Sequence, residues 1–324
     1  LEFTQSATSK GFSPSKPGAL EVERISESAD PRADSLYTTV ACEWCVAGCS
    51  ETDFAAISAA SLRAVRARGD VSLVRAVARA CDAAQFAQLV SAATREPLGV
   101  VAVVADAVAP LVRNRGFDHE PLSALMLSAA TAAASSDDAK TRAAARRALG
   151  ALVGVGELKF GAREAGAVLL AARPHFAGEG EDVDECARLL RRTMHAHGVV
   201  LARTVPAVVA SVVRGLMEAV LDNPTAASEL ARACEDLTKH PDVYRHHVSS
   251  MLTQLTTLAH TRGVGKSARG AVDALAFELL RLCSEHELQQ MHAVLGGGFG
   301  GARREVLKSW RDAKRRRGEW GGEA

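Results

Sequence analysis

Val205, Val208, Val209, Val212, Val213, Leu216, Met217, Val220 and Leu221 recur at i, i+3, i+4 and i+7 along one continuous stretch. This period places apolar side chains on one side of an α-helix; a strand, whose side chains alternate between faces, cannot use it. Pro206 suits the first turn of that helix, where its missing N–H has no partner to lose, and Asp222-Asn223-Pro224 stops it. The same period runs through Met251, Leu252, Leu255 and Leu258, and through Val272, Leu275, Ala276, Leu279 and Leu280. Further helices are expected near 53–68, 70–80, 82–95, 98–114, 121–134, 138–153, 161–173, 182–197, 225–239, 285–295 and 301–316. No segment alternates as a strand would, so the chain is expected to be all-α.

Short connections carrying breakers join these helices: Gly69-Asp70, Glu96-Pro97, Gly116 to Pro121, Arg173-Pro174, Gly178 to Gly180, His240-Pro241 and Gly296 to Gly301. Short links make consecutive helices antiparallel neighbours. A long run of such pairs predicts an irregular HEAT- or armadillo-like α-solenoid. No consensus repeats at a fixed period, and a compact irregular bundle is the competing architecture. Residues 1–36, rich in Ser, Pro and charge, read as a disordered linker; 37–317 form the helical domain; 318–324 form a flexible tail.

Composition fits this reading. Of 324 residues, 48% are hydrophobic but only 4% aromatic, so the core is built from Ala, Val and Leu. Small side chains allow close helix packing. Net charge is +1, unevenly spread: from Arg303 onward eight basic residues face four acidic ones, so the end carries +4 and the remainder −3. Seven irregularly spaced cysteines suit a reducing compartment. The most apolar run, 199–221, is broken by Arg203, Pro206 and Arg214, so no membrane span is expected. No signal peptide is recognisable, and the first residue is Leu1 rather than Met, as in a segment of a longer chain.

Motifs that resemble chemistry have plainer readings. Cys42, Cys45 and Cys49 lack a fourth ligand nearby and share one helix face, where cysteine serves as a small hydrophobe; a metal site there is the enzymatic alternative. Gly263-Val264-Gly265-Lys266-Ser267 lacks the first glycine of a phosphate loop and follows a helix rather than a strand, so it reads as an interhelical turn. Gly296, Gly298 and Gly301 likewise follow a helix. The pairs His195/His197, His246/His247 and His286/His292 have no matching carboxylates or thiols at ligand spacing. No catalytic site, cofactor, metal or small-molecule substrate is expected.

Ser284 and Glu287 form the S-x-x-E pattern of a capping box, with Cys283 and Leu288 at staple positions and Glu285 at the positive helix end. His286 is then a first-turn surface residue. In the closing helix, Val306 and Trp310 lie four apart and can dock one face. Arg303, Arg304, Lys308, Arg311, Lys314, Arg315, Arg316 and Arg317 are left for solvent or phosphate. Contact with RNA, nuclear targeting and a plain solvated basic end all fit this helix.

The C-terminal part, about 225–317, resembles the Urb/Npa nucleolar ribosome-biogenesis family. Three stretches carry the likeness. The first runs from Leu230-Ala231-Arg232 to Lys239-His240 and on through Tyr244-Arg245-His246-His247-Val248. The second is 279–295, with Leu282, Cys283, Ser284, Glu285, His286, Glu287 and Leu288 at its centre. The third runs from Gly301-Ala302-Arg303 through Leu307-Lys308-Ser309-Trp310 to Lys314 and Trp320. Trp310 and the Arg run replace the Tyr, Phe and Lys usual in that family, and 296–301 is unusually Gly-rich. The resemblance implies a non-catalytic helical scaffold of the nucleolus, acting in early large-subunit (pre-60S) assembly and pre-ribosomal RNA processing. It also implies partners: other biogenesis factors, including a large helical scaffold and an RNA helicase, and pre-ribosomal RNA. The alternative is a cytosolic HEAT-like adaptor without RNA contact.

Overall fold

Several helices in this chain begin where a short polar side chain meets the N–H groups that open a helix. Ser50 accepts from Asp53 N–H, Asp82 and Gln85 bond reciprocally, Asp138 accepts from two N–H groups, and Asn223 accepts from Ala226 N–H. Prolines 206, 224 and 241 occupy first turns, where no intrahelical N–H is missed. Gly69 ends the first described helix at φ +70°, the left-handed conformation that a side chain disfavours.

The structure is a computed structural model describing residues 46, 49–112, 115–174, 183–295 and 300–316. The expected linker 1–36, the tail 318–324, Cys42, Cys45, Gly296, Gly298 and Arg317 lie outside the described residues. Fourteen helices occur among those described: α1 (Glu51–Arg68), α2 (Ser72–Ala80), α3 (Ala83–Ala93), α4 (Leu98–Val112), α5 (His119–Ser135), α6 (Ala139–Leu152), α7 (Ala162–Ala171), α8 (Val183–Thr204), α9 (Pro206–Met217), α10 (Pro224–Leu237), α11 (Pro241–Thr261), α12 (Arg269–Arg281), α13 (Glu285–Val294) and α14 (Gly300–Arg316). No strand occurs among the described residues.

Every helix packs on the one two places along the chain. The odd-numbered helices α1 to α13 therefore form one layer and the even-numbered α2 to α14 a second. No extensive contact joins helices more than three places apart. A bundle would fold the chain back on itself; this pattern grows in one direction, as a solenoid does. Side-chain bonds between equivalent positions expose the repeat: Ser123–Glu164 and Arg147–Asp106 are 41 residues apart, Asn223–Asp184 are 39, Gln254–Arg214 are 40 and Arg245–Glu287 are 42. The period is that of two-helix HEAT-type units.

The core lies between the layers. Ala102, Ala105 and Ala109 of α4 and Ala144, Ala145 and Ala148 of α6 are buried, and their small side chains let these neighbouring axes approach. Arg146 is buried on the same helix. Its guanidinium donates to the Ala171 and Arg173 carbonyls, which α7 leaves unmet at its C-terminus.

Two expectations need correction. The helix expected at 182–197 does break at His197 (φ −132°, ψ 23°), but a further, unexpected helical segment follows it to Thr204. At the break the imidazole stacks on Phe160 at 3.9 Å and its ring nitrogen lies 2.7 Å from the Val153 carbonyl. Tertiary contacts hold this bend, and Gly198 follows it directly in the chain. Val208, counted in the apolar stripe, is 37% exposed, whereas Val209, Val212, Val213, Leu216 and Met217 are buried. The inward arc of α9 is narrower than its run of valines.

Candidate functional site

The C-terminal helices α11 to α14 bring the candidate residues together. At the corner between α12 and α13, the Ser284 hydroxyl accepts from Glu287 N–H at 3.3 Å, and the Ser284 N–H donates to the Glu287 carboxylate at 2.7 Å. Arg245 of α11 reaches the same carboxylate at 3.3 Å, tying the corner to the preceding odd-layer helix. Burial alone would push the Glu287 carboxyl up. The Ser284 N–H and hydroxyl and the Arg245 guanidinium outweigh it and hold the carboxyl below its ordinary range. Leu282 and Leu288 are buried on either side, and Cys283 is half-buried. Burial and the neighbouring Glu287 push the Cys283 thiol up to about 12, so it is a poor nucleophile at neutral pH. His286 is exposed, with its ring nitrogen 2.8 Å from the Gln290 amide.

The closing helix is bound more tightly than its charge suggests. Leu307, Trp310 and Lys314, at i, i+3 and i+7, are its buried row. The Trp310 indole donates to the Asp273 carboxylate of α12 at 2.8 Å. Lys314, expected in solvent, is only 2% exposed and carries its charge towards Glu278 of α12. The physical reason is its place on the docking row, four residues beyond Trp310. Val306, expected to dock, is half-buried beside that row and packs against the core.

The other cations divide. Arg304 donates from Nε to the His292 carbonyl at 2.8 Å, meeting an acceptor left open by the last turn of α13. Arg311 and Arg315 face Glu285 at 3.7 and 3.5 Å. Lys308 lies 3.9 Å from Glu305 on its own helix, and Arg316 is exposed. The basic end is thus partly an answer to acids and carbonyls inside the molecule.

Two clefts open beside these residues. One, about 620 Å³, lies between α9, α11 and α13 and is lined by Arg214, Ser250, Thr253, Gln254, Gln290 and Met291, among others. The second, about 690 Å³, lies between α13 and α14 and contains Arg304, Lys308 and Arg311.

The motifs given plain readings take their places elsewhere. Gly263 turns the chain between α11 and α12 at φ +78°, and Gly265 N–H donates to the Leu221 carbonyl at 3.0 Å. The stretch 263–267 is an interhelical turn stacked on the preceding one. His195 is exposed and 4.0 Å from Asp236, far from the C-terminal corner in sequence. Among the described residues, no group of His, Cys, Asp and Glu could hold a metal ion, and no helix is long and apolar enough to cross a membrane. Cys49 is half-buried and receives the Gln85 amide at 3.6 Å.

Sequence reasoning missed the burial of Lys314 and the part played by Asp273. The row 307, 310, 314 was a readable signal for the first; an acidic residue on a helix 37 positions away gave none for the second. No family model, no curated protein and no solved structure matches this chain.

Proposed function

We propose that this protein is a non-catalytic helical-repeat scaffold that works in the nucleolus, on early large-subunit assembly and pre-ribosomal RNA processing. The observation that carries the scaffold reading is the stack itself: fourteen described helices in two layers, each packed on the one two places along, presenting long parallel helix faces. Such arrays expose a large surface for extended partners. The nucleolar assignment is supported by the resemblance of 230–248, 279–295 and 301–320 to the Urb/Npa family. On this reading, biogenesis proteins such as a large helical scaffold and an RNA helicase dock along the layers, and pre-ribosomal RNA passes the basic C-terminal end.

Affinity purification of the tagged protein, with sequencing of bound RNA and a sucrose gradient of the lysate, tests this. Precursor large-subunit RNA and sedimentation with pre-ribosomal particles are expected. Slow sedimentation without ribosomal RNA would instead support a cytosolic adaptor with no RNA contact. One observation favours that second reading: Arg304, Arg311, Lys314 and Arg315 all have electrostatic roles inside the fold. A basic closing helix therefore does not by itself require an RNA partner.

A further inference from the structure

The geometry points to the cleft between α13 and α14, rather than the terminal run 314–317, as the seat of a single-stranded RNA segment, held by its phosphates on Arg304, Lys308 and Arg311. This deepens the scaffold reading above and rests on it for the choice of RNA.

Arg304, Lys308 and Arg311 stand at i, i+4 and i+7 of α14, so they share one face, and along the axis they span about 10 Å. That row is long enough to meet more than one phosphate of a strand. The terminal run is not a comparable row. Lys314 is buried on the docking row and Arg317 lies outside the described residues, so the run presents no described row of cations on one face.

The cleft is also built to hold its cations in place. The Nε of Arg304 is fixed on the His292 carbonyl, which aims the guanidinium and leaves its two terminal nitrogens to meet an anion. A guanidinium so anchored presents a fork matched to phosphate oxygens with little ordering left to do. Arg311 has only a long 3.7 Å approach to Glu285, and its Nε is buried without an acceptor among the described residues. Turning it towards an incoming oxygen therefore breaks no strong bond. The one acid in the lining, Glu305, meets Lys308 at a loose 3.9 Å, with both side chains largely exposed.

The opposite wall differs. Gln289 and His292 of α13 offer donors and acceptors suited to base edges or a ribose hydroxyl, and Gly301 leaves room for close approach. The cleft, about 690 Å³ and open to solvent, has room for part of a single strand. Arginine forks on one wall and amide and imidazole on the other fit a nucleotide better than a carboxylate-rich peptide, which would use the cations alone.

The test is fluorescence anisotropy of the full chain with a labelled oligouridine across a salt series. Lys308→Glu is expected to weaken binding about tenfold and to lower the slope of log K against log salt by about 1. Gln289→Glu, which places a charge on the α13 wall without touching α14, should weaken it as well. Arg75→Glu, the same charge change as Lys308→Glu at an exposed position of α2, should leave it within about twofold. Equal losses in all three would mean non-specific attraction. A loss for Lys308→Glu but not for Gln289→Glu would place RNA on the outer face of α14 rather than in the cleft. Displacement of the RNA by a polyglutamate peptide that binds more tightly would make the occupant an acidic protein segment. Each of these three results overturns the proposal.

The two readings fail separately. If precursor RNA co-purifies equally with the wild type and with Lys308→Glu, the scaffold stands and the cleft site falls. If purified protein binds oligouridine through the cleft but no precursor RNA co-purifies from cells, the site stands and the nucleolar role falls.

Discussion

At single positions, the tightness of stacking decides what a substitution does. A Cβ on Gly265 would lie 2.9 Å from Asp222 Oδ1, 3.3 Å from Asp222 Cα and 3.4 Å from the Leu221 carbonyl. The carboxylate can swing away, but the backbone cannot, so Gly265→Ala is expected to destabilise by about 1–3 kcal/mol. Gly166, within α7, has nothing within 4 Å of such a Cβ. There Gly→Ala should stabilise by about 0.5–1 kcal/mol through helix propensity alone. Urea melts of the two variants should move in opposite directions; a shared direction would refute the stacked turn at 263–267. His197 gives a pH test. Burial holds its imidazole below the ordinary 6.5, against the opposing pull of the Val153 carbonyl. Above 6.5 the ring is neutral folded or unfolded. As pH falls through that value the unfolded chain takes the proton first, so stability drains away on the acid side. His197→Phe keeps an aromatic ring to stack on Phe160 but cannot titrate. The melting-temperature advantage of wild type over this variant should shrink between about pH 7.5 and pH 5.5. An advantage that holds or grows would show that the imidazole is not the group responsible.

Among the elements, the closing helix α14 separates what sequence can tell from what it cannot. Helix starts were legible because caps and first-turn prolines act locally: Ser284 with Glu287 and Pro206 sit where the pattern puts them. The docking face of α14 was only half legible. A Lys at the last position of the row 307, 310, 314 reads as surface unless the helix opposite supplies an acid, and here Glu278 of α12 does. Burial pushes the Glu278 carboxyl up, while Arg281 and Lys314 pull it back. Charge reversal at Lys314 would therefore undock the helix rather than simply remove a phosphate contact. Lys314→Glu is expected to abolish hydrogen-exchange protection across 300–316, whereas Lys314→Met, similar in length and apolar, should keep it. Trp310→Ala, which loses both a buried ring and the bond to Asp273, should behave like Lys314→Glu, at a local cost of about 3–5 kcal/mol. Protection that survives in Lys314→Glu would return Lys314 to the solvent side.

For the molecule as a whole, the choice between solenoid and bundle lay beyond the sequence because the repeat has no consensus. It resides in spacing, the 39 to 42 residues between Asp184 and Asn223 or between Arg245 and Glu287, and such pairs involve different side chains each time. Only their positions in space agree. That architecture has an energetic consequence. A central helix such as α8 packs against α6, α7, α9, α10 and α11, whereas α14 packs chiefly against α11 and α12. In a linear stack, stability is a sum of repeats and nearest-neighbour interfaces, so the ends open more easily than the middle. Hydrogen exchange should show protection rising from α1 and α2 to a maximum across α4 to α10 and falling again through α13 and α14. Leu149 of α6 is wholly buried, and its replacement by Ala should cost about 2–5 kcal/mol and lower protection chiefly in the adjoining α4, α5 and α8. A closed bundle would respond differently, because loss of one central side chain would lower protection everywhere at once. Uniform loss across α1 to α14 in Leu149→Ala would overturn the one-dimensional account; loss confined to the neighbours would confirm that the layers carry load locally, which lets a partner engage one end of the stack without remodelling the other.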